Sequence, residues 1–386
     1  MTAAGAIGTP LRALAQPADS VILCLGLALL LVGFVAITSA SVEYAAANYG
    51  DPLHHSSRHL MYLVLALLAA TVAYSVPMGF WFDTGWVWLF IGLVLLLLVL
   101  IPGIGREVNG SRRWLALGPA TLQASEFARL FLIIYLSGYL QRREEQVRSQ
   151  WQGFVKPMMV VFAITLLLMV EPDFGATVVT VGTAFGMLFL AGVKLGHFLL
   201  VVLGSVMALV ILLVSEPYRM QRLTAYTDPW ADQFNSGYQL TQSLIAFGRG
   251  EWTGVGLGNS VQKLFYLPEA HTDFVFSIWA EETGLIGAVT VIALYLALIY
   301  RILWISRKSC QAGDLFGAHI CHGVALVFTA QVFINIGVST GLLPTKGLTL
   351  PLISYGGSSL IVCCCMLALV LRVDRERRTG RGKRGR

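Results

Sequence analysis

The chain has 386 residues, 56% of them hydrophobic and only 12% charged, with mean hydropathy +0.72 and a formal net charge of +6. Soluble domains carry about 25% charged residues, so an ordinary aqueous fold is excluded. The apolar residues also run without the polar stripe of a surface helix or the alternation of a barrel strand, as from Val87 to Ile101, which leaves an all-α polytopic membrane protein.

Windows of about 20 apolar residues, enough for roughly 30 Å of hydrocarbon, give ten expected transmembrane helices. The first covers 21–41, after a short N-terminal segment, 1–20. Ser39-Ala40-Ser41 loosely resembles a signal-peptidase site, but the run is too long for a signal peptide and Arg12 is the only nearby cation, so a retained span is expected. His54, His55 and His59 precede the second window, 60–76. Only Asp51 stands at ligand spacing beside them, too little to specify a metal.

The third window, 86–102, leads into a loop reading REVNGSRRWLALGPATLQASEFAR, with Arg106, Arg112, Arg113 and, at its edge, Arg129. Spans at 126–140, 154–170, 175–192 and 195–215 follow. The charged loop QRREEQVRSQ separates the first two, and the turn EPDFG (171–175) joins the next pair. The largest loop, 216–273, lies between spans seven and eight and carries Arg219, Arg222, Arg249 and Lys263. Its glycine-rich stretch FGRGEWTGVGLGNS follows no strand, so a nucleotide-binding loop is not expected. Spans at 275–305, 315–341 and 350–371 complete the membrane domain, 21–371.

An even number of spans puts both termini on one side. The tail 372–386, RVDRERRTGRGKRGR, is densely basic, which assigns that side to the cytoplasm. The tail reads as a topogenic charge run or as a site for anionic lipid or a cytoplasmic partner. The six cysteines form no CxxC pair and read as small packing residues.

Two outward loops then hold cations where topology disfavours them. Either they bind an anionic group, or they snorkel to headgroups and pair with loop acids. LPEAHTDFVF (267–276) poses a similar choice. Thr272 or Asp273 would cap the following helix, or Asp273 is a general base at a membrane-facing cavity. In EPDFG, Asp173 reads as a cap for span six, with a salt bridge to a loop arginine. GLLPTKGLTLPLISYGGSS (341–359), with Lys346 and Ser354, is rich in Pro and Gly. Such irregular backbone is tolerated at membrane depth only where it lines a cavity or is covered by protein.

Taken together and in this order, NGSRRWLALGPATLQASEFAR, EPDFG, PYRMQR, YQLTQSLIAFGRGEWTGVGLGNS, LPEAHTDFVF and GLLPTKGLTLPLISYGGSS resemble the SEDS family (shape, elongation, division and sporulation). The similarity runs from the first span to the last. Ala270 and Lys346 resemble its division branch more than its elongation branch. The resemblance implies ten transmembrane helices and polymerisation of undecaprenyl-linked lipid II on the outer face of the bacterial cytoplasmic membrane, at the division septum.

It also implies Asp273 as the catalytic acid of the HTDF motif. Arg113 and Trp114 match the NGxxRW motif, and Glu126 the acid of the QPSE motif. Arg219, Arg222 and Lys346 are expected to hold the lipid diphosphate. His271 and Ser354 are expected at the substrate, with His271 positioning Asp273 or tuning its pKa and Glu269 structural. Two departures stand out: Ala124 in place of proline, and Glu171 where glutamine is common.

The implied chemistry suits these residues. A sugar hydroxyl attacks an anomeric carbon as a diphosphate departs, so a base helps by typically 10²–10⁴-fold, while the leaving group needs cations more than a proton. A divalent cation such as Mg could share that load, though no ligand set in the sequence specifies one. The implied partners are a class B penicillin-binding protein and division proteins of the FtsQ, FtsL and FtsB type, with no nucleic acid. Two other functions use similar features, a lipid II flippase and a non-catalytic division scaffold. The first would need polar contacts along its whole path, and the second gives Asp273 and Lys346 nothing to do.

Overall fold

The computed structural model describes residues 18–108, 111–117, 120–214, 226, 228–235, 237–344 and 347–380. Arg219, Arg222 and Lys346 lie outside these described residues.

The chain is a helical bundle. Helix α1 (Ser20–Tyr49) starts at Asp19, whose carboxylate accepts from the Ile22 amide at 3.1 Å, and stops at Gly50, in the left-handed conformation. Then come α2 (His54–Ser75), the short α3 (Met78–Asp83) and α4 (Gly85–Leu100). Next are α5 (Ala124–Arg142), the short α6 (Glu144–Ser149), α7 (Trp151–Val170), α8 (Phe174–Leu190) and α9 (Leu195–Val214). The set closes with α10 (Tyr238–Gly250), α11 (Val275–Gln311), α12 (Leu315–Ser339) and α13 (Gly357–Thr379).

Each of the ten sequence windows falls on one of these helices. Among the described residues six are long and apolar enough to cross a bilayer: α1, α2, α7, α11, α12 and α13. Gly85–Leu100, Phe174–Leu190 and Leu195–Gly204 are shorter apolar helices. Helix α5 is different again: it carries Glu126, Arg129 and Arg142, yet nearly all of it is buried. It packs against α4, α8, α12 and α13, so Glu126 and Arg129 face protein rather than lipid. The last window begins too early: residues 350–356 form a turn containing Pro351 and Gly356, and the helix starts at Gly357.

Two features depart from the all-α expectation for the loops. Strands β1 (Gly105–Val108), β2 (Ser111–Leu117) and β3 (Ala120–Gln123) form an antiparallel sheet between α4 and α5. Leu115 is buried, while Arg112 pairs across the strands with exposed Glu107 at 3.0 Å. Ser358 at the start of α13 docks this sheet, receiving the Gln123 amide at 2.9 Å and donating to the Thr121 carbonyl at 3.2 Å. The large loop, in turn, contains helix α10.

Helix α11 is broken at Gly284, with φ 69° and ψ −167°. A break strands two amides and two carbonyls that the helix would otherwise pair, and at membrane depth these must find partners in protein. They do. The Leu285 and Ile286 amides donate to the carbonyls of Glu251 and Trp252 at 2.9 and 3.2 Å, while the Glu281 and Glu282 carbonyls accept from Val255 and Gly256 at 3.0 and 3.1 Å. The chain after α10 is thus inserted into the break. Only glycine fits there: a Cβ at 284 would meet the Gly254 nitrogen at 2.4 Å and the Thr253 nitrogen at 2.6 Å.

At the opposite end of the bundle, Asp19 pairs with Arg301 of α11 at 2.6 Å and with Arg378 of α13 at 3.0 Å. Asp374 pairs with Arg377 and Arg378 at 2.6 and 2.7 Å. The first half of the basic tail is therefore helical and engaged, and ties the last helix to the first.

Candidate active site

Asp273 sits on the segment that leads into α11, and its main chain is held firmly. Its carbonyl accepts from Asn335 Nδ2 of α12 at 2.8 Å, and the same nitrogen donates to the Leu348 carbonyl at 2.7 Å. One amide therefore clamps together the 267–276 motif and the segment after Lys346. The half-buried Asp273 carboxylate faces Gly347, where a Cβ would lie 2.9 Å from Oδ2. That carboxylate has no hydrogen bond or ion pair among the described residues.

The expected helix cap is absent. Phe274 occupies the N-cap of α11 with no side-chain cap, and Thr272 instead donates back to the Glu269 carboxylate at 2.7 Å. The reason is the direction of the Asp273 side chain, toward Gly347 and away from the first-turn amides. A carboxylate that caps no helix and has no partner among the described residues is available for chemistry. Burial pushes its pKa up to about 7, helped by the negative charges of Glu269 and Asp173 and opposed by Arg113. A base poised near neutral pH suits proton abstraction.

His271 stands two residues away, its ring 4.9 Å from that of His55, 5.3 Å from Tyr44 and 5.8 Å from Tyr355. Its carbonyl accepts from the Tyr355 amide at 3.0 Å. Burial holds its pKa below the usual value against the pull of Glu269, and the ring packs as part of an aromatic wall.

Arg113 reaches the site from β2. It donates to the Pro172 carbonyl at 2.6 Å and lies 3.9 Å from the Asp173 carboxylate. Asp173 also caps α8 by accepting from the Ala176 amide at 3.1 Å, so both expectations for that acid hold. Glu171 is fully buried, with neither carboxyl oxygen hydrogen-bonded among the described residues. Burial first, and then Asp173, push its pKa up to about 8 against the effect of Arg113.

The remaining candidates divide. Trp114 lies on β2 between Arg106 and Gln123, on the strand that carries Arg113. Glu126 is buried against Arg129 at 3.2 Å, and Ser354 is buried with its hydroxyl receiving the Leu350 amide at 2.8 Å. Both have internal partners that explain them. Two of the loop cations are likewise matched with acids, Arg249 with Glu281 and Lys263 with Glu282, each at 3.0 Å. The structure thus seats Arg113 on Pro172 and Asp173, within electrostatic reach of Asp273, and engages Arg249 and Lys263 with acids. Among the described residues no group of three or more His, Cys, Asp or Glu side chains is arranged to hold a metal.

Glu281 and Glu282 were invisible to sequence reasoning. They sit inside an apolar run, and the available hint was the cost of two adjacent acids there.

Residues 19–379 match the cell cycle protein family of FtsW, RodA and SpoVE. The chain belongs to this family. The FtsW/RodA/SpoVE relatives include a probable peptidoglycan glycosyltransferase FtsW of Nitrosococcus halophilus, 56% identical over 363 residues, 94% of this chain and 93% of that one. One of the same description from Hahella chejuensis is 54% identical over 354 residues, covering 92% and 89%.

Among solved structures, a chain of a peptidoglycan synthase complex that coordinates polymerization and crosslinking superposes with a TM-score of 0.77. It is 31% identical, and the match covers 94% of this chain and 99% of that one. The rod shape determining protein RodA of Thermus thermophilus gives a TM-score of 0.69 at 30% identity, covering 94% and 98%. This chain is therefore a multi-pass membrane protein with the FtsW/RodA/SpoVE fold.

Proposed function

We propose that the chain is a peptidoglycan glycosyltransferase that polymerises lipid II during septal wall synthesis, with Asp273 as general base. The observation that carries the reading is the half-buried Asp273 carboxylate, without a partner among the described residues, clamped through its own main chain and shifted toward neutral pH. It belongs to a chain more than half identical to proteins named for this activity.

In the reaction, Asp273 takes the proton of the acceptor hydroxyl as its oxygen bonds to the anomeric carbon of the donor. The bond from that carbon to the diphosphate breaks, and its electron pair leaves on the phosphate oxygen. Arg113 is the described cation that bears on the Asp273 carboxylate, and Arg219, Arg222 and Lys346 are proposed to share the diphosphate. Trp114 and His271 would supply flat faces to the sugars, while Glu126 and Ser354 support the walls.

Ten transmembrane helices with both termini in the cytoplasm put Asp273 and the 216–273 loop on the outer face, where the sugars of lipid II are displayed. All ten windows coincide with helices, which supports that topology. A partner that crosslinks the product, a class B penicillin-binding protein, fits the architecture shared with a synthase complex. Division proteins of the FtsQ, FtsL and FtsB type are proposed alongside it.

The test is lipid II polymerisation by purified Asp273→Asn protein with its crosslinking partner. Asp273 caps no helix, so the substitution spares the fold, and a loss of at least about 10²-fold is expected for a general base. Polymerisation at wild-type rates would remove Asp273 from the chemistry and return the flippase and scaffold readings.

A further inference from the structure

The segment 251–274, which carries Asp273, has no regular secondary structure. Something other than helix or sheet must make it rigid, and the break in α11 supplies it. Glu281 and Glu282, on the last turn before Gly284, are buried and grip the segment with their side chains as well as their carbonyls. The Glu281 carboxylate accepts from Ser260 Oγ, from the Val261 and Gln262 amides at 3.1 and 3.3 Å, and from Arg249 of α10 at 3.0 Å. The Glu282 carboxylate accepts from Ser39 Oγ of α1 at 2.6 Å, from Lys263 Nζ at 3.0 Å and from the Ser260 amide at 3.4 Å. Lys263 Nζ, buried with it, also donates to the Gly258 carbonyl at 2.7 Å and to Ser39 Oγ at 3.1 Å.

A buried ionic network is a poor source of stability, because the desolvation of its charges offsets their attraction. Its distinctive product is a fixed geometry. From Lys263 that geometry passes along the chain: the Leu267 amide donates to the Gln262 carbonyl, and Leu267, Ala270 and Phe274 pack with Ala40, Ile278 and Val338 in a small apolar cluster. Ala40 is the neighbour of Ser39. Network and cluster therefore hold the same stretch of α1 and α11, on either side of Asp273.

We propose that Glu281, Glu282 and Lys263 are positioning residues for glycosyl transfer, seating the 251–274 segment in the break of α11 and so fixing the Asp273 carboxylate relative to the acceptor hydroxyl. This rests on Asp273 as the base. Nothing else holds that carboxylate among the described residues, so its placement is inherited from the backbone. An error of about 1 Å in such a group can cost on the order of 10²-fold in rate.

The test compares Lys263→Met, Lys263→Arg, Glu282→Gln and Ser39→Ala with wild type in lipid II polymerisation across pH, with thermal unfolding in detergent alongside. Lys263→Met and Glu282→Gln are expected to lose at least about tenfold in kcat with KM nearly unchanged. The acid limb of their pH profiles should move toward the ordinary carboxylate range as water reaches Asp273. Lys263→Arg should recover most of kcat, and Ser39→Ala should show the same limb shift in milder form.

Wild-type kcat and an unmoved limb in folded Lys263→Met would overturn the proposal, as would a loss accounted for by the unfolded fraction alone. If Lys263→Met does not fold, the milder Ser39→Ala decides: a shifted limb supports positioning and an unshifted one overturns it. Asp273→Asn run in parallel separates the two ideas. Activity retained there removes the base itself, whereas an inactive Asp273→Asn beside wild-type network variants removes only the positioning.

Discussion

The Asp273 carboxylate lies over the backbone of Gly347, close enough that a single methyl group would collide with it: a Cβ at 347 would stand 2.9 Å from Oδ2. The atom in the way is the end of a side chain and not backbone, so the carboxylate will move and the fold will not. Gly347→Ala is expected to lower polymerisation by about 10- to 100-fold with little change in unfolding temperature. Wild-type kcat would show that the carboxylate need not occupy its present position.

A base must be ionised to accept a proton. With the Asp273 pKa pushed up to about 7 by burial and then by Glu269, kcat/KM should rise with pH through about 7 and level off above it. Glu269→Gln removes the negative charge that does most, after burial, to raise that pKa, so the rising limb should move to lower pH. A limb that stays in place in that variant would mean that Glu269 does not tune the base.

Glu171 gives a stability prediction of definite sign. Its pKa is raised from an ordinary 4.5 to about 8, mainly by burial. Between those values the folded chain keeps a proton that the unfolded chain has lost, so stability is full below about pH 4.5 and falls as pH rises to about 8. Glutamine cannot ionise. Unfolding temperatures measured across that range should therefore decline more steeply for wild type than for Glu171→Gln. Parallel curves would show that Glu171 is already ionised in the folded chain.

Glu126 and Arg129 form a buried pair at 3.2 Å, and Arg129 keeps two further guanidinium nitrogens without partners among the described residues. Removing one member leaves an uncompensated charge, which costs roughly 3–5 kcal/mol, whereas replacing both with apolar residues is often neutral. Glu126→Leu should thus unfold far more readily than Glu126→Leu/Arg129→Met in a thermal melt. If the double variant folds well yet fails to polymerise lipid II, Glu126 acts on substrate after all.

Much of the fold was legible because a lipid-spanning helix declares itself locally. An uninterrupted apolar run of about 20 residues has few alternatives in a bilayer; the ten windows overlap helices, six of which, among the described residues, are long and apolar enough to cross a membrane. Ends were less legible. The last helix starts at Gly357 rather than 350 because Pro351 and the Gly356-Gly357 pair stop it from beginning sooner. The β1–β3 sheet went unread because Ser111 to Leu117, SRRWLAL, lacks the period-two alternation of a half-buried strand, and its partners are set by pairing, which hydropathy does not show.

The same division runs through the site. The motifs singled out Asp273, Arg113 and Asp173 because ionisable groups in so apolar a chain are few and costly. Their roles were not fixed by that marking. At the sequence level Asp273 was equally a cap, and Lys263 and Arg249 were equally anion ligands. Which cation meets which acid depends on side chains far apart in the chain, such as Ser39, Lys263 and Glu282, being brought to one point.

The sequence by itself, then, determined that this is a helical membrane protein with acids and bases gathered in a few motifs, since the hydrophobic effect and backbone hydrogen bonding act over one helix length at a time. Only the tertiary structure decided that α11 opens at Gly284 to admit the 251–256 backbone, that Glu281 and Glu282 use up two of the loop cations, and that the Asp273 carboxylate finds no partner among the described residues. Those outcomes depend on which charges are neutralised in low dielectric and which stranded amides find a carbonyl, and both are settled by contacts between distant segments.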